Sequence, residues 1–273
     1  MNLPNLIIPG AGKAGTSTLY AHLNSHPQVC MSVPKEPHFF ADSNYFAKGF
    51  AKYQELFTRS ADVIGEASTS YLHFPHVIER IKTLPVLPKF IILLRNPIDR
   101  VASHYFWLQS LGLECRSLLE AFEYDAKEEP DFARPVGGRK FRYYKAESLY
   151  GRYVPRYIEA FGRDQVLILT TEDLRDQPSA VLQECTDFLG IDPFFSVAPR
   201  WENRTQSNPA PGGIGADPKH NSSSAERLTL GDRQYLQAIF SPDISQLRSV
   251  TGISFSQWQD DFPISPAEMP IPL

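Results

Sequence analysis

The sequence predicts an α/β protein with a central, mainly parallel sheet covered by helices, and three observations carry that prediction. Lys89-Phe-Ile-Ile-Leu-Leu-Arg95 is a continuous apolar run, as expected of a parallel strand buried on both faces. Short apolar runs at residues 6–9, 63–66 and 165–171 are each followed by loop or helical patterning, so strands alternate with helices along the chain. The first run passes directly into a glycine-rich turn and a helix, through Leu6-Ile-Ile-Pro-Gly-Ala-Gly-Lys-Ala-Gly-Thr-Ser-Thr-Leu-Tyr20.

The elements follow in order. Leu6 to Pro9 reads as the first strand and Thr16 to Asn24 as a helix stopped at His26-Pro27. Val29 to Val33 is a short second strand that runs into Pro34-Lys-Glu-Pro-His-Phe-Phe40, where two prolines oppose regular structure. Tyr45 to Phe57 patterns as a helical surface segment, and 63–72 as a strand turning into a polar loop. After Arg95 a helix starts at Pro97, a favoured first helical residue. Residues 109–147 are the least regular, with an acidic helix, a Gly-Gly turn and a basic-aromatic run. Helices are expected at Tyr150–Phe161 and Pro178–Leu189, with a strand at 165–171 between them. Residues 203–224 form a Pro/Gly/Asn/Ser loop too long for idle packing. Two helices near Asp232 and Asp243 then precede a Pro-rich tail, so residues 1–262 read as one domain and 263–273 as an appendage.

Composition narrows the function classes. The 273 residues carry 42% hydrophobic and 21% charged side chains, ordinary for a globular protein with a sizeable core. A net charge of −4 opposes general nucleic-acid binding, so any anion site must be local. Cys30, Cys115 and Cys185 are odd in number, far apart and without metal-ligand spacing, which reads as reduced thiols rather than a disulfide frame or zinc site. No run approaches the ~18 apolar residues of a membrane helix. The first strand starts too close to Met1 for a signal peptide, so a cytoplasmic protein is expected.

A strand feeding a helix through glycines leaves free N–H groups at the positive end of the helix dipole, where an anion binds. Three tenants fit that loop. Gly10-x-Gly12-x-x-Gly15 satisfies a dinucleotide fingerprint, with Glu36 lying 21 residues beyond Gly15 as ribose ligand. A Walker-type nucleoside-triphosphate loop, as in a kinase, would need the hydroxyl directly after the lysine, whereas Ala14-Gly15 separates Lys13 from Thr16. An acid ending an apolar strand is also wanted for magnesium, and the strand at 90–94 ends in Arg95. A phosphosulfate is the third tenant. Lys13, the amides of Ala14 and Gly15 and the hydroxyls of Thr16, Ser17 and Thr18 would cup a phosphate and its sulfuryl group, with no metal ligand required.

Arg95-Asn-Pro-Ile-Asp-Arg-Val-Ala-Ser103 supplies a second anion element. Arg95 stands at a strand's carboxyl end, the ligand edge of open α/β sheets, and Ser103 two turns into the next helix. Local capping is the alternative role for Arg95; together with Ser103 it suits a 3′-phosphate on the same nucleotide.

These paired elements, in this order, resemble the sulfotransferases that use 3′-phosphoadenosine-5′-phosphosulfate (PAPS). Lys13-Ala-Gly-Thr-Ser-Thr18 is similar to their 5′-phosphosulfate loop and Arg95–Ser103 to their 3′-phosphate element. Gly65-Glu-Ala-Ser-Thr-Ser-Tyr-Leu72, Thr171-Glu-Asp-Leu174, Phe188-Leu-Gly190 and Leu247 to Trp258 extend the likeness over most of the chain. The resemblance implies a three-layer, P-loop-like fold and a metal-independent sulfotransferase. The nucleotide donor would give its sulfuryl group to a hydroxyl or amine of a glycan, glycolipid or small metabolite. Lys35-Glu-Pro-His-Phe-Phe40 resembles a run of the glycan-modifying branch, which implies Glu36 as catalytic base and Lys13 as the charge facing the leaving phosphate. His38 is the alternative base on chemical grounds, and an ion pair with Lys35 or Arg95 the alternative role for Glu36. Glycan sulfotransferases often place lysine directly after the position of Glu66, where this chain has Ala67. On the acceptor side, Gly138-Arg-Lys-Phe-Arg-Tyr-Tyr-Lys145 could grip an acidic sugar, and Tyr45, Phe46 and Tyr71 could stack on one. Arg204, Lys219 and His220 fall where family members carry a late basic loop, which implies a lid over the nucleotide with Lys219 on its phosphate. A non-catalytic nucleotide-binding module remains the alternative from outside the enzymes.

Overall fold

Five parallel strands hold the chain together in the order β2-β3-β1-β4-β5, in a computed structural model that describes residues 2–127, 143–193 and 228–263. The central strand, β1 (Leu6–Ile7), is the shortest. It pairs with β3 (Val63–Glu66) on one side, Leu6 opposite Gly65 and Ile7 opposite Glu66. On its other side it pairs with β4 (Lys89–Leu94), Leu6 opposite Lys89. β2 (Val29–Met31) extends β3, and β5 (Val166–Thr170) runs beside β4 from Phe90–Val166 to Leu94–Thr170. Phe90 to Leu94 have no exposed surface, the burial that their unbroken apolar pattern predicts.

Helices flank this sheet: α1 (Thr16–Asn24) after β1, α4 (Pro75–Ile81) between β3 and β4, and α8 (Thr171–Asp176) and α9 (Pro178–Leu189) after β5. Between β2 and β3 the expected single helix is two short ones, α2 (Ser43–Phe46) and α3 (Gly49–Gln54). Gly49, at φ 77°, breaks the pattern. This segment is also less superficial than expected, since Tyr53 and Phe57 are buried and Tyr53 stacks on Phe39 at 4.0 Å. The polar run after β3 is not an open loop but a 3₁₀ turn (Thr69–Leu72) with Ser68, Ser70, Tyr71 and Leu72 buried.

The described residues form two compact units. The first holds the residues up to Arg95 and those from Tyr153 to 193, and so contains the sheet. The second holds Asn96 to 127, 143 to Arg152 and 228 to 263. It contains α5 (Pro97–Ser110), α6 (Leu118–Ala126), the start of α7 (Tyr150–Phe161) and α10 (Leu230–Thr251). α10 corrects the expectation of two helices near Asp232 and Asp243. Pro242 lacks the N–H that would reach Ala238 and should break a helix in isolation. The buried series Leu236, Phe240, Ile244 and Leu247 continues across it at helical spacing, and that shared face keeps the axis intact. Among the described residues no helix is long and apolar enough to cross a membrane.

Candidate active site

The loop after β1 is pinned on two sides, by β4 and by the 3₁₀ turn. Ala11 N–H donates to the Leu93 carbonyl (2.7 Å), Leu93 N–H to that of Gly10 (2.9 Å) and Leu72 N–H to that of Pro9 (2.8 Å). The 3₁₀ turn lies so close that a side chain on Gly10 would meet Leu72 Cβ at 3.0 Å and the Thr69 carbonyl at 3.2 Å. Gly15 precedes α1 at φ 83°, a left-handed conformation that glycine adopts without strain. No side chain caps α1, and Thr18 N–H bonds back to the Gly15 carbonyl at 3.0 Å; the first amides of a helix in such a turn can serve as an anion cradle. Thr16 and Thr18 are buried and Ser17 half-buried. Two ties come from neighbouring strand ends. The Thr171 hydroxyl lies 2.7 Å from the Ala14 carbonyl and 2.9 Å from that of Leu94, and Arg95 Nη1 donates to the Lys13 carbonyl at 3.3 Å.

Glu36 is held at the same 3₁₀ turn, through Thr69. Its Oε1 accepts from Lys35 Nζ at 2.8 Å and its Oε2 from the Thr69 hydroxyl at 3.0 Å, with His38 Nε2 at 3.6 Å. Burial pushes this carboxyl up, but the charge and hydrogen bond of Lys35, followed by His38 and Thr69, hold it below the ordinary value. It is therefore ionised at neutral pH, with 32% of its side chain exposed. The ion pair with Lys35 that was the alternative role for Glu36 does form, and it leaves the carboxylate part-exposed. His38 Nδ1 lies 3.0 Å from the Ser70 hydroxyl.

Backbone conformation marks the same residues. Lys13 (φ 69°), Glu36 (φ 60°) and His38 (φ 57°) are the non-glycine residues of the first unit with positive φ, among those described. Such conformations are unfavourable for side-chain-bearing residues and gather where geometry serves a site. The three residues singled out for catalysis are thus the ones that the first unit holds under strain. Nothing in the sequence announces that.

Glu66, at the end of β3, is fully buried. Its Oε1 accepts from Tyr53 (2.5 Å) and Tyr71 (2.7 Å) and its Oε2 from Ser68 (2.6 Å). Burial pushes it up to about 7, against the three hydroxyl donors that favour its charge.

The sulfotransferase domain family matches residues 3–208. This chain belongs to it. Among its relatives, bifunctional heparan sulfate N-deacetylase/N-sulfotransferase 4 of Mus musculus is 28% identical over 207 residues, which cover 72% of this chain and 23% of that one. Heparan sulfate glucosamine 3-O-sulfotransferase 3B1 of Homo sapiens is 29% identical over 76% of this chain and 51% of its own. The chain thus spans between about a quarter and just over half of such relatives, 56% for the membrane-associated sulfotransferase kil1 of Dictyostelium discoideum. A sulfotransferase structure from Alicyclobacillus acidocaldarius matches 94% of this chain and 99% of its own at TM-score 0.73 and 28% identity. Mouse SULT7A1 complexed with PAP shares the fold, at TM-score 0.54 and 14% identity.

In this sulfotransferase the first unit brings together Lys13, Ala14, Gly15, Thr16, Ser17, Thr18 and Arg95, with Glu36 and His38 held at the 3₁₀ turn. Ser103 lies half-buried on α5 in the second unit. The residues between Arg95 and Ser103 serve that unit's packing. Asn96 Oδ1 caps α5 by accepting from Ile98 N–H (3.0 Å) while its Nδ2 donates to Asp261 (2.7 Å), and Asp99 accepts from Arg233 (2.9 Å). Arg100 is wholly buried, donating to Ser148 (2.7 Å) and the Tyr144 carbonyl (3.0 Å). Arg204, Lys219 and His220 lie outside the described residues, as do 138–142 of the basic-aromatic run. The aromatic end of that run is no acceptor surface, because Tyr143 and Tyr144 are buried. Tyr71 is likewise withdrawn from any acceptor, being buried on Glu66, while Tyr45 and Phe46 are half-buried against Phe39. Sequence reasoning missed Thr69, Ser70 and Thr171 as individuals; the hydroxyl-rich spelling of 68–70 was the available signal.

Proposed function

We propose that this chain transfers the sulfuryl group of PAPS to a hydroxyl or amine of a saccharide, with Glu36 as general base. One observation carries the reading: the Thr69 carbonyl lies where it would meet a side chain on Gly10 of the anion loop at 3.2 Å, while its hydroxyl holds Glu36, so an ionised carboxylate and an anion cradle flank one residue. The acceptor oxygen or nitrogen would attack sulfur as its proton passes to Glu36, and the bond from sulfur to the bridging phosphate oxygen would break. The negative charge left on that phosphate is met by Lys13 and the first amides of α1. Arg95, with Ser103, is assigned to the 3′-phosphate. A saccharide acceptor is favoured by the heparan sulfate enzymes among the relatives.

Thermal shifts with 3′-phosphoadenosine-5′-phosphate (PAP), against ATP with magnesium, test the nucleotide. At about 100 times its dissociation constant PAP adds about 2.7 kcal/mol of stability, and Lys13→Ala and Arg95→Ala reduce that gain. Stabilisation by ATP alone would make the chain a nucleoside-triphosphate enzyme instead. With radiolabelled PAPS and N-desulfated heparan sulfate, Glu36→Gln is expected to lower kcat by roughly 10²–10⁴-fold with PAP binding intact. Full activity in that variant, lost in His38→Ala, moves the base to His38.

A further inference from the structure

We infer that Glu66 is a positioning residue for the catalytic loop, acting through the hydroxyls of Ser68 and Tyr71 on the backbone that carries Glu36 and His38. The inference rests on the reading of Glu36 as base. Four consecutive residues, Ser68, Thr69, Ser70 and Tyr71, each direct a hydroxyl at the segment 36–40. Ser68 Oγ accepts from His38 N–H at 3.0 Å, and the Thr69 hydroxyl donates to Glu36. Ser70 Oγ meets His38 Nδ1 at 3.0 Å, and Tyr71 Oη accepts from Phe40 N–H at 3.0 Å.

A hydroxyl has one hydrogen, and its direction decides what the oxygen can accept. The hydrogens of Ser68 and Tyr71 are both committed to Glu66, at 2.6 and 2.7 Å, which turns their lone pairs to the amides of His38 and Phe40. Each link is a relay from amide to hydroxyl to carboxylate, whose members polarise one another in a dry interior. Among the described residues Glu66 makes no ion pair. Its register opposite Ile7 fixes it in the sheet. Tyr71 is held in turn by Tyr157, whose hydroxyl donates to its carbonyl at 2.8 Å. The segment needs such anchors, because Pro34 and Pro37 offer no N–H and Glu36 and His38 sit in strained backbone. With only Pro37 between Glu36 and the first anchored amide, that of His38, and Phe40 anchored two residues on, these bonds govern where the Glu36 carboxylate points.

The test compares three small changes on one carboxylate. Ser68→Ala and Tyr71→Phe cut the relays; Tyr53→Phe removes a hydrogen bond to Glu66 that leads to no loop amide. With N-desulfated heparan sulfate as acceptor, Ser68→Ala and Tyr71→Phe are expected to lower kcat about ten-fold or more. Their KM for PAPS and their PAP-induced thermal shift stay near those of the parent. Tyr53→Phe lowers thermal stability and keeps kcat within about two-fold. In a Glu36→Gln background Ser68→Ala costs nothing further, since it acts through Glu36. Amide hydrogen exchange at His38 and Phe40 quickens in the two relay variants only. Equal kcat in all three variants, or loss of PAP binding in step with kcat, would overturn the inference. A fully active Glu36→Gln would instead remove the base on which it rests.

Discussion

Glu36 and Glu66 are the same residue type in opposite environments, one held below the ordinary carboxyl value by Lys35, the other raised by burial to about 7. Such divergent pairs divide labour in many active sites: here the carboxylate proposed as base is ionised and part-exposed, and the other is fully buried. The raised group has a consequence for stability. Between its ordinary value of 4.5 and about 7 the folded chain keeps a proton on Glu66 that the unfolded chain has released. That contribution is full below 4.5 and is lost as pH rises through about 7. Asp125, raised by burial to about 7, and Asp243, raised to about 6, act in the same direction. Glu36 acts oppositely, adding stability at neutral pH that disappears in acid. Calorimetric melting between about pH 5 and pH 8 should therefore show stability falling with pH, and Glu66→Gln should make the fall shallower. An unchanged slope in the variant would refute the assignment. Lys13 and Arg95 were legible as anion-site candidates from chemistry and spacing, and Glu36 from the likeness of its run to the glycan-modifying branch. The left-handed backbone of Lys13 and Glu36 and the hydroxyls that hold Glu36 and His38 were not, because such features arise only when distant residues, such as His38 and Ser68, are packed together.

At the scale of elements, the strands declared themselves through apolar runs, and β4 most clearly. α10 shows where local rules lose. Pro242 reads as a helix boundary, yet burial of Leu236, Phe240, Ile244 and Leu247 along one stripe offsets a local penalty of about 3 kcal/mol. Pro242→Ala restores the missing donor and a good helix former, and its expected effect is stabilisation by about 1 kcal/mol or more, after the entropy that proline removes from the unfolded chain is discounted. Urea unfolding reads this directly; a lower midpoint would mean that the proline shapes the stripe rather than interrupting it. Similarly, the split of residues 43–54 into α2 and α3 follows from Gly49, whose neighbours look helical in any window that averages over it.

At the scale of the molecule, the alternation of strands and helices made the fold class readable, and the anion loop paired with the Arg95–Ser103 element made the family readable from sequence. The strand order was not readable, because β1 pairs with nothing adjacent to it in sequence. Its two residues lie between partners from positions 63–66 and 89–94. This bears on the order of assembly. During synthesis or refolding the first strand must wait, unpaired, until the third and fourth have formed, and loop-closure entropy makes such distant pairings late. The loop assigned to the donor hangs from that strand, and its Ala11 N–H donates to the Leu93 carbonyl of the fourth. Nucleotide competence should accordingly be among the last properties the chain acquires. Pulse-labelled exchange during refolding should protect Leu94 before Ile8 and Ala11, and protection in the reverse order would show that the loop forms on its own.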